Sequence, residues 1–114
     1  MQNRNKKSAL ILSAAAGLWA ASHAFGAYTL NTLATFNNTN GANPAAGLTL
    51  SGSTLYGTTD YGGANGGGTV FSVPLAGGSP TTLATFNYTN GADPLAGLTL
   101  SGSTLYGTDR KSVV

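Results

Sequence analysis

Beyond the first 26 residues, apolar positions in this chain fall in short alternating runs and never at helical spacing. Residues 28–36 read YTLNTLATF, 47–50 GLTL, 54–58 TLYGT, 69–75 TVFSVPL and 81–86 TTLATF. Leu, Val, Thr, Phe and Tyr dominate these runs, and such residues suit a pleated, half-buried surface, so each run predicts a strand. The breaks between them are turn chemistry. Ser51-Gly52-Ser53 predicts a tight hairpin, residues 60–68 (DYGGANGGG) a flexible loop, 76–80 (AGGSP) a turn and 37–44 (NNTNGANP) a longer Asn-rich loop. Pro74 has no N–H to give to a ladder, so it belongs at a strand end or faces away from a neighbour.

The pattern recurs at an offset of 50 residues. Residues 32–58 and 82–108 differ only at Asn38/Tyr88, Asn43/Asp93 and Ala45/Leu95. Four short strands in a period of about 50 residues are the signature of a β-propeller blade. The expected fold is therefore all-β, built of four-stranded repeats of 50 residues, with the ring of blades incomplete in this chain. The leading run at 28–36 matches the fourth strand of a period. An open ring exposes sheet edges, so this strand is expected to close the ring by completing the last blade. One full repeat and the start of the next cannot cover both faces of a sheet; arrays of this type need about three neighbours.

Leu55-Tyr56-Gly57-Thr58-Thr59, then Gly62-Gly63, then Gly68-Thr69-Val70-Phe71 resemble the GloVer tandem repeat of exported bacterial proteins, and Thr82-Leu83-Ala84-Thr85-Phe86 fits the same pattern. The resemblance covers roughly residues 28 to 108. It implies an exported, propeller-like array, in some members with a C-terminal sorting signal, and no defined activity. Kelch repeats share the period and a Gly-Gly pair, but this repeat region lacks Trp.

The termini read differently. Arg4, Lys6 and Lys7 precede the apolar stretch ALILSAAAGLWAA at residues 9–21, and small residues follow at Ala24, Gly26 and Ala27. That order is a secretory signal peptide, assigned to residues 1–26, with cleavage after Ala24 or Gly26. The apolar stretch falls short of the ~20 residues that span a bilayer, so the mature chain is expected to have no membrane span. The last six residues, DRKSVV, break the repeat pattern. They are the translation of GAT CGG AAG AGC GTC GTG followed by a stop, a common sequencing-adaptor string, and residues 109–114 are expected to be a non-native tail. The repeat region is 27–108.

Charge narrows the possible partners. All five Lys and Arg residues lie near the two ends, and the acids are Asp60, Asp93 and Asp109. The body of the chain is weakly acidic, which excludes a basic nucleic-acid surface. There is no Cys, and the single His23 lies in the leader, so Ser and Thr have no neighbouring base to activate them and no catalytic residue is expected. The Gly62–Gly68 run lacks a GK[ST] ending and precedes a strand rather than a helix, so it predicts a hairpin loop and not a phosphate cradle. Asp60 and Asp93 are weak binding candidates, since paired carboxylates can act on sugars. The Asn43 counterpart of Asp93 favours a turn-forming role, because both side chains cap turns. The low carboxylate count of the loops argues against calcium, and neither a metal nor a cofactor is expected. Tyr61 and Tyr88 stand in loops where an aromatic face could meet a carbohydrate or another cell-surface component. Tyr56 and Tyr106 sit mid-strand and are expected to pack. Asn37-Asn38-Thr39 and Asn87-Tyr88-Thr89 match the glycosylation acceptor triplet, which Asn-rich loops also produce by chance.

These features point to an exported, non-enzymatic binding or scaffold module, secreted, periplasmic or on the cell surface. The alternative is the N-terminal part of a polysaccharide-acting propeller enzyme with its active site in further blades. An elongated β-solenoid is a third arrangement.

Overall fold

The computed structural model describes residues 7–14 and 28–110, with the side chains of 7–14 left undescribed. Among these residues there are eight strands and no helix. They are β1 (Lys7–Ala14), β2 (Tyr28–Phe36), β3 (Thr49–Ser51), β4 (Thr54–Thr59), β5 (Thr69–Pro74), β6 (Thr81–Thr85), β7 (Thr99–Ser101) and β8 (Thr104–Tyr106). Every pairing between them is antiparallel. β3-β4-β5-β6 form a four-stranded meander, β7-β8 repeat its first hairpin, and β1-β2 form a third sheet. Each run of alternating residues is thus a strand, with ends that move by at most two residues from the alternation pattern. Residues 1–6 and 15–26 of the leader lie outside the described residues, and β1 falls within it.

Local chemistry sets the turns. Ser51 pairs with Thr54 across Gly52 and Ser53, and Gly52 takes φ +60°, a value that a residue without Cβ adopts freely. Ser101, Gly102 and Thr104 repeat that geometry. Pro74 is the last residue of β5, where its missing N–H removes no interior ladder bond. Leu83 is bulged out of the β5-β6 ladder, and its counterpart Leu33 is bulged out of β1-β2. β1 therefore meets β2 as β5 meets β6: Leu10 stands opposite Thr32 as Phe71 stands opposite Thr82, and Ile11 opposite Asn31 as Ser72 opposite Thr81.

Two apolar clusters hold the sheets together. Ala34, Phe36, Leu55, Phe71 and Val73 form the first, with Leu33 and Leu48 against it. The Phe36 and Phe71 rings meet edge to face, with centroids 4.8 Å apart and planes at 64°. Fully burying each ring is worth roughly 1.5–3 kcal/mol, and such an aromatic pair adds about 0.5–1.5. Gly57 makes room for this pair, since a Cβ there would lie 2.7 Å from both Phe71 and Leu48 carbons. Val70, Phe86 and Leu98 form the second cluster, with Tyr56 and Leu105 beside it. It joins the meander to the β7-β8 repeat.

Burial differs between the two copies in a consistent way. Ala92, Asp93, Pro94 and Leu98 are buried, whereas Ala42, Asn43, Pro44 and Leu48 are only partly covered. The second copy's loop and first strand lie against the first copy. In the other direction, Leu55, Gly57 and Thr58 are buried, while Leu105 and Gly107 are half-buried and Thr108 is exposed. The first copy has β5 and β6 to cover these positions.

Candidate functional site

The three loops that follow β2, β4 and β6 gather at one end of the sheets. Asn37 and Asn40 each accept the other's backbone N–H through the side-chain oxygen, at 3.0 and 2.8 Å. Asn87 and Asn90 do the same at 3.0 and 2.9 Å. These reciprocal bonds are how short amide side chains build a turn without a strand partner. They also occupy the Asn37 and Asn87 side chains of the two glycosylation triplets. Asn40 and Asn90 each donate back to the carbonyls of Thr35 and Thr85.

These turns dock onto the Gly-rich loop. Ala42 N donates to Tyr61 O at 2.7 Å, Tyr61 N to Ala42 O at 3.1 Å and Asp60 N to Asn43 O at 3.0 Å. Gly63 N donates to Asn38 O at 2.8 Å. A Cβ on Gly62 would lie 2.5 Å from Asn38 O, and one on Gly68 would lie 2.3 Å from Thr59 O, so at φ +79° and +98° only glycine fits either place. The second copy joins the same loop, with Asp93 N donating to Gly67 O and Phe86 N to Gly68 O, both at 2.9 Å. The loop that reads as flexible from its glycines is therefore clamped from both sides.

Beneath it lie threonines that the alternation pattern does not single out. Thr59 and Thr69 are fully buried, share a 2.8 Å bond between hydroxyls, and Thr59 Oγ1 also takes Thr69 N at 3.0 Å. Thr58 Oγ1 donates toward Pro94 O and Ala96 O, at 3.4 and 3.3 Å. Thr49 Oγ1 donates to Leu98 O. These last bonds cross from one copy to the next. Their only trace in the sequence is that both threonines recur at the 50-residue offset.

Four residues carry the sequence-level expectations for a site. Asp60 and Asp93 are 8% and 7% exposed, and one carboxylate oxygen of each, Oδ1, has no hydrogen-bond partner. Burial, reinforced by the Asp93 charge, pushes the Asp60 pKa above its ordinary value; Arg110 and the Tyr61 side chain oppose that rise. Arg110 also forms a 3.2 Å ion pair with Asp93, from the tail expected to be non-native. Asp93 takes φ +54° and Asn43 φ +56°, so both copies need a short polar side chain that tolerates the left-handed region. Among the described residues, no three or more His, Cys, Asp or Glu side chains gather as a metal site would require.

Tyr61 and Tyr88 are both exposed, at 42% and 52%. Tyr61 opens the Gly-rich loop. The Tyr88 hydroxyl lies beside Gly66 in that loop, 3.6 Å from where a Cβ would stand. Tyr88 has φ +69°, matching φ +74° at its counterpart Asn38. Asn is at ease there; a bulky aromatic is strained. Of the mid-strand tyrosines, Tyr56 packs against the second cluster, but Tyr106 is exposed. The difference has a physical cause: Tyr56 is covered by the copy that follows it, and nothing described covers Tyr106.

Residues 21–113 match the family model of the Gloeobacter/Verrucomicrobia repeat. No curated protein and no solved structure matches the chain.

Proposed function

The chain belongs to the Gloeobacter/Verrucomicrobia repeat family, and we propose that it is an exported, non-enzymatic binding module whose loop end presents Tyr61 and Tyr88 to a carbohydrate surface. The observation that carries this reading is Tyr88. An exposed aromatic is held at positive φ where the other copy uses Asn, at a conformational cost of about 1–3 kcal/mol. Strain of this kind gathers at ligand clamps and switch regions. The neighbouring loop is pinned by backbone bonds from both copies, so the two rings stand on a fixed frame and lose little freedom when they bind. Aromatic faces suit the apolar faces of sugar rings, and a carbohydrate is the ligand that this pair of exposed rings fits. Propeller blades are the arrangement in which we place the repeats. The inter-copy bonds from Thr49 and Thr58 support it, because they tie each repeat to the one that follows, as blades of a propeller would be.

Affinity electrophoresis of the 114-residue protein in gels containing xylan, cellulose derivatives, mixed-linkage β-glucan or mannan tests the reading. Retardation by at least one neutral polysaccharide is expected, and it should be lost in Tyr88→Asn, a change the sister copy shows to be compatible with the backbone. Unchanged mobility throughout, or retardation that Tyr88→Asn and Tyr61→Ser both leave intact, overturns it.

A further inference from the structure

We propose that the hollow beside β7 and β8 is a docking site for one extended strand of the Thr69–Pro74 type, supplied by another repeat and seated antiparallel on the edge of β8 that has no partner strand among the described residues. Val70, Leu83, Ala84, Phe86, Leu98 and Leu105 line a space of about 270 Å³. Five of these six are the counterparts, 50 residues on, of Leu33, Ala34, Phe36, Leu48 and Leu55. Those five residues are the lining of the first apolar cluster, and there the space is filled by Phe71 and Val73. The second copy thus reproduces the walls of the first cluster without its filling.

Size and edge agree with that assignment. An apolar cavity of about 150 Å³ takes a benzene ring, so the larger hollow has room for a phenyl ring and a small branched side chain together. β4 is paired on both sides, by β3 and β5; β8 is paired with β7 alone among the described residues. In the first copy, Leu55 stands opposite Val73, Tyr56 opposite Ser72 and Gly57 opposite Phe71. The same register on the second copy sets the incoming Val opposite Leu105 and the incoming Phe opposite Gly107. Gly107 retains the missing side chain that, at Gly57, leaves space for the ring. Strand addition of this kind draws affinity from main-chain bonds and specificity from pockets for alternate side chains. Neither the walls nor a TVFSVP strand carries a charge, so the partner is a neutral, β-branched strand with an aromatic residue two places before a Val.

The test uses a fluorescein-labelled peptide, GGTVFSVPLAG, copied from residues 67–77 and titrated into the 114-residue protein, with anisotropy as the readout. Saturable one-to-one binding is expected, at least tenfold weaker when the peptide's Phe is replaced by Ser. Because that change is in the peptide, it leaves the folding of the protein untouched. Binding should also shift the methyl resonances of Leu98 and Leu105 and leave those of Leu33 in place. No binding, or equal affinity for the two peptides, overturns the proposal. A dimer of the protein that excess peptide does not dissociate also overturns it, since a second copy would then be the occupant. The result is independent of the polysaccharide experiment, because the peptide touches neither Tyr61 nor Tyr88.

Discussion

Leu55 and Leu105 offer an internally controlled measurement of how much one repeat depends on its neighbours. They occupy the same position in identical stretches of sequence, SGSTLYGT, and differ in what surrounds them. Leu55 is 6% exposed and packed among Ala34, Phe36, Phe71 and Val73. Truncating it to Ala removes well-buried methyl groups and leaves a cavity that its close-packed neighbours cannot collapse, a combination worth about 2–5 kcal/mol. Leu105 is half-buried and faces the existing hollow. Its truncation forfeits about half of the transfer gain of a buried leucine, roughly 1 kcal/mol, and creates no new cavity. Leu55→Ala should therefore cost at least twice what Leu105→Ala costs. Urea unfolding followed by tyrosine fluorescence gives both values from midpoints at constant slope. If the hollow takes a TVFSVP strand, saturating peptide should raise the cost of Leu105→Ala toward that of Leu55→Ala. Equal costs for the two leucines without peptide would refute the reasoning, because the copies would then be equally packed and the burial difference would have no energetic content.

Three other outcomes are expected. Tyr88→Asn should stabilise the fold, by about 1 kcal/mol, which for a domain of this size raises Tm by roughly 4–8 °C; a lower Tm would mean that Tyr88 packs better than its φ of +69° implies. Asp60 has a folded-state pKa raised above 3.8, so the folded chain holds its proton more tightly than the unfolded chain, and stability should fall as pH rises from 3.8 through the raised value. Asp60→Asn should accordingly be the more stable protein at pH 7 and lose that advantage below pH 3.8; a parent that is more stable than the Asn variant at pH 7 contradicts the assignment. N-terminal sequencing of protein exported from a bacterial host should start at Phe25 or Ala27, and recovery of Met1 in the exported fraction would count against the leader.

The fold was legible in the sequence because strands and turns depend on near neighbours. Alternation placed β2 to β8, and the Ser-Gly-Ser turns needed only a glycine at positive φ. Pro74 ends β5 for a reason carried by its own ring. The 50-residue offset did more, because it shows that a residue has a counterpart in a like setting, and the bulged leucines 33 and 83 confirm this on the backbone. What stayed illegible depends on contacts between copies. Glycine content made residues 60–68 read as mobile, yet carbonyls of the first copy and N–H groups of the second pin them, and the glycines serve close approach rather than freedom. Asp60 and Asp93 stand 33 places apart in the chain, and no spacing rule announces that burial brings their charges to bear on one another. The strain at Tyr88 was equally hidden, because an exposed loop tyrosine is ordinary until its φ is known. The same limit explains the hollow. Phe71 and Val73 read as strand residues in their own run; only the first cluster shows them filling a space whose walls come from the leading strand and from β4, and only then can the same walls in the second copy be recognised without their filling. In a repeat of this kind the local sequence specifies each hairpin, while the site and the docking edge are properties of the junction between one copy and the next.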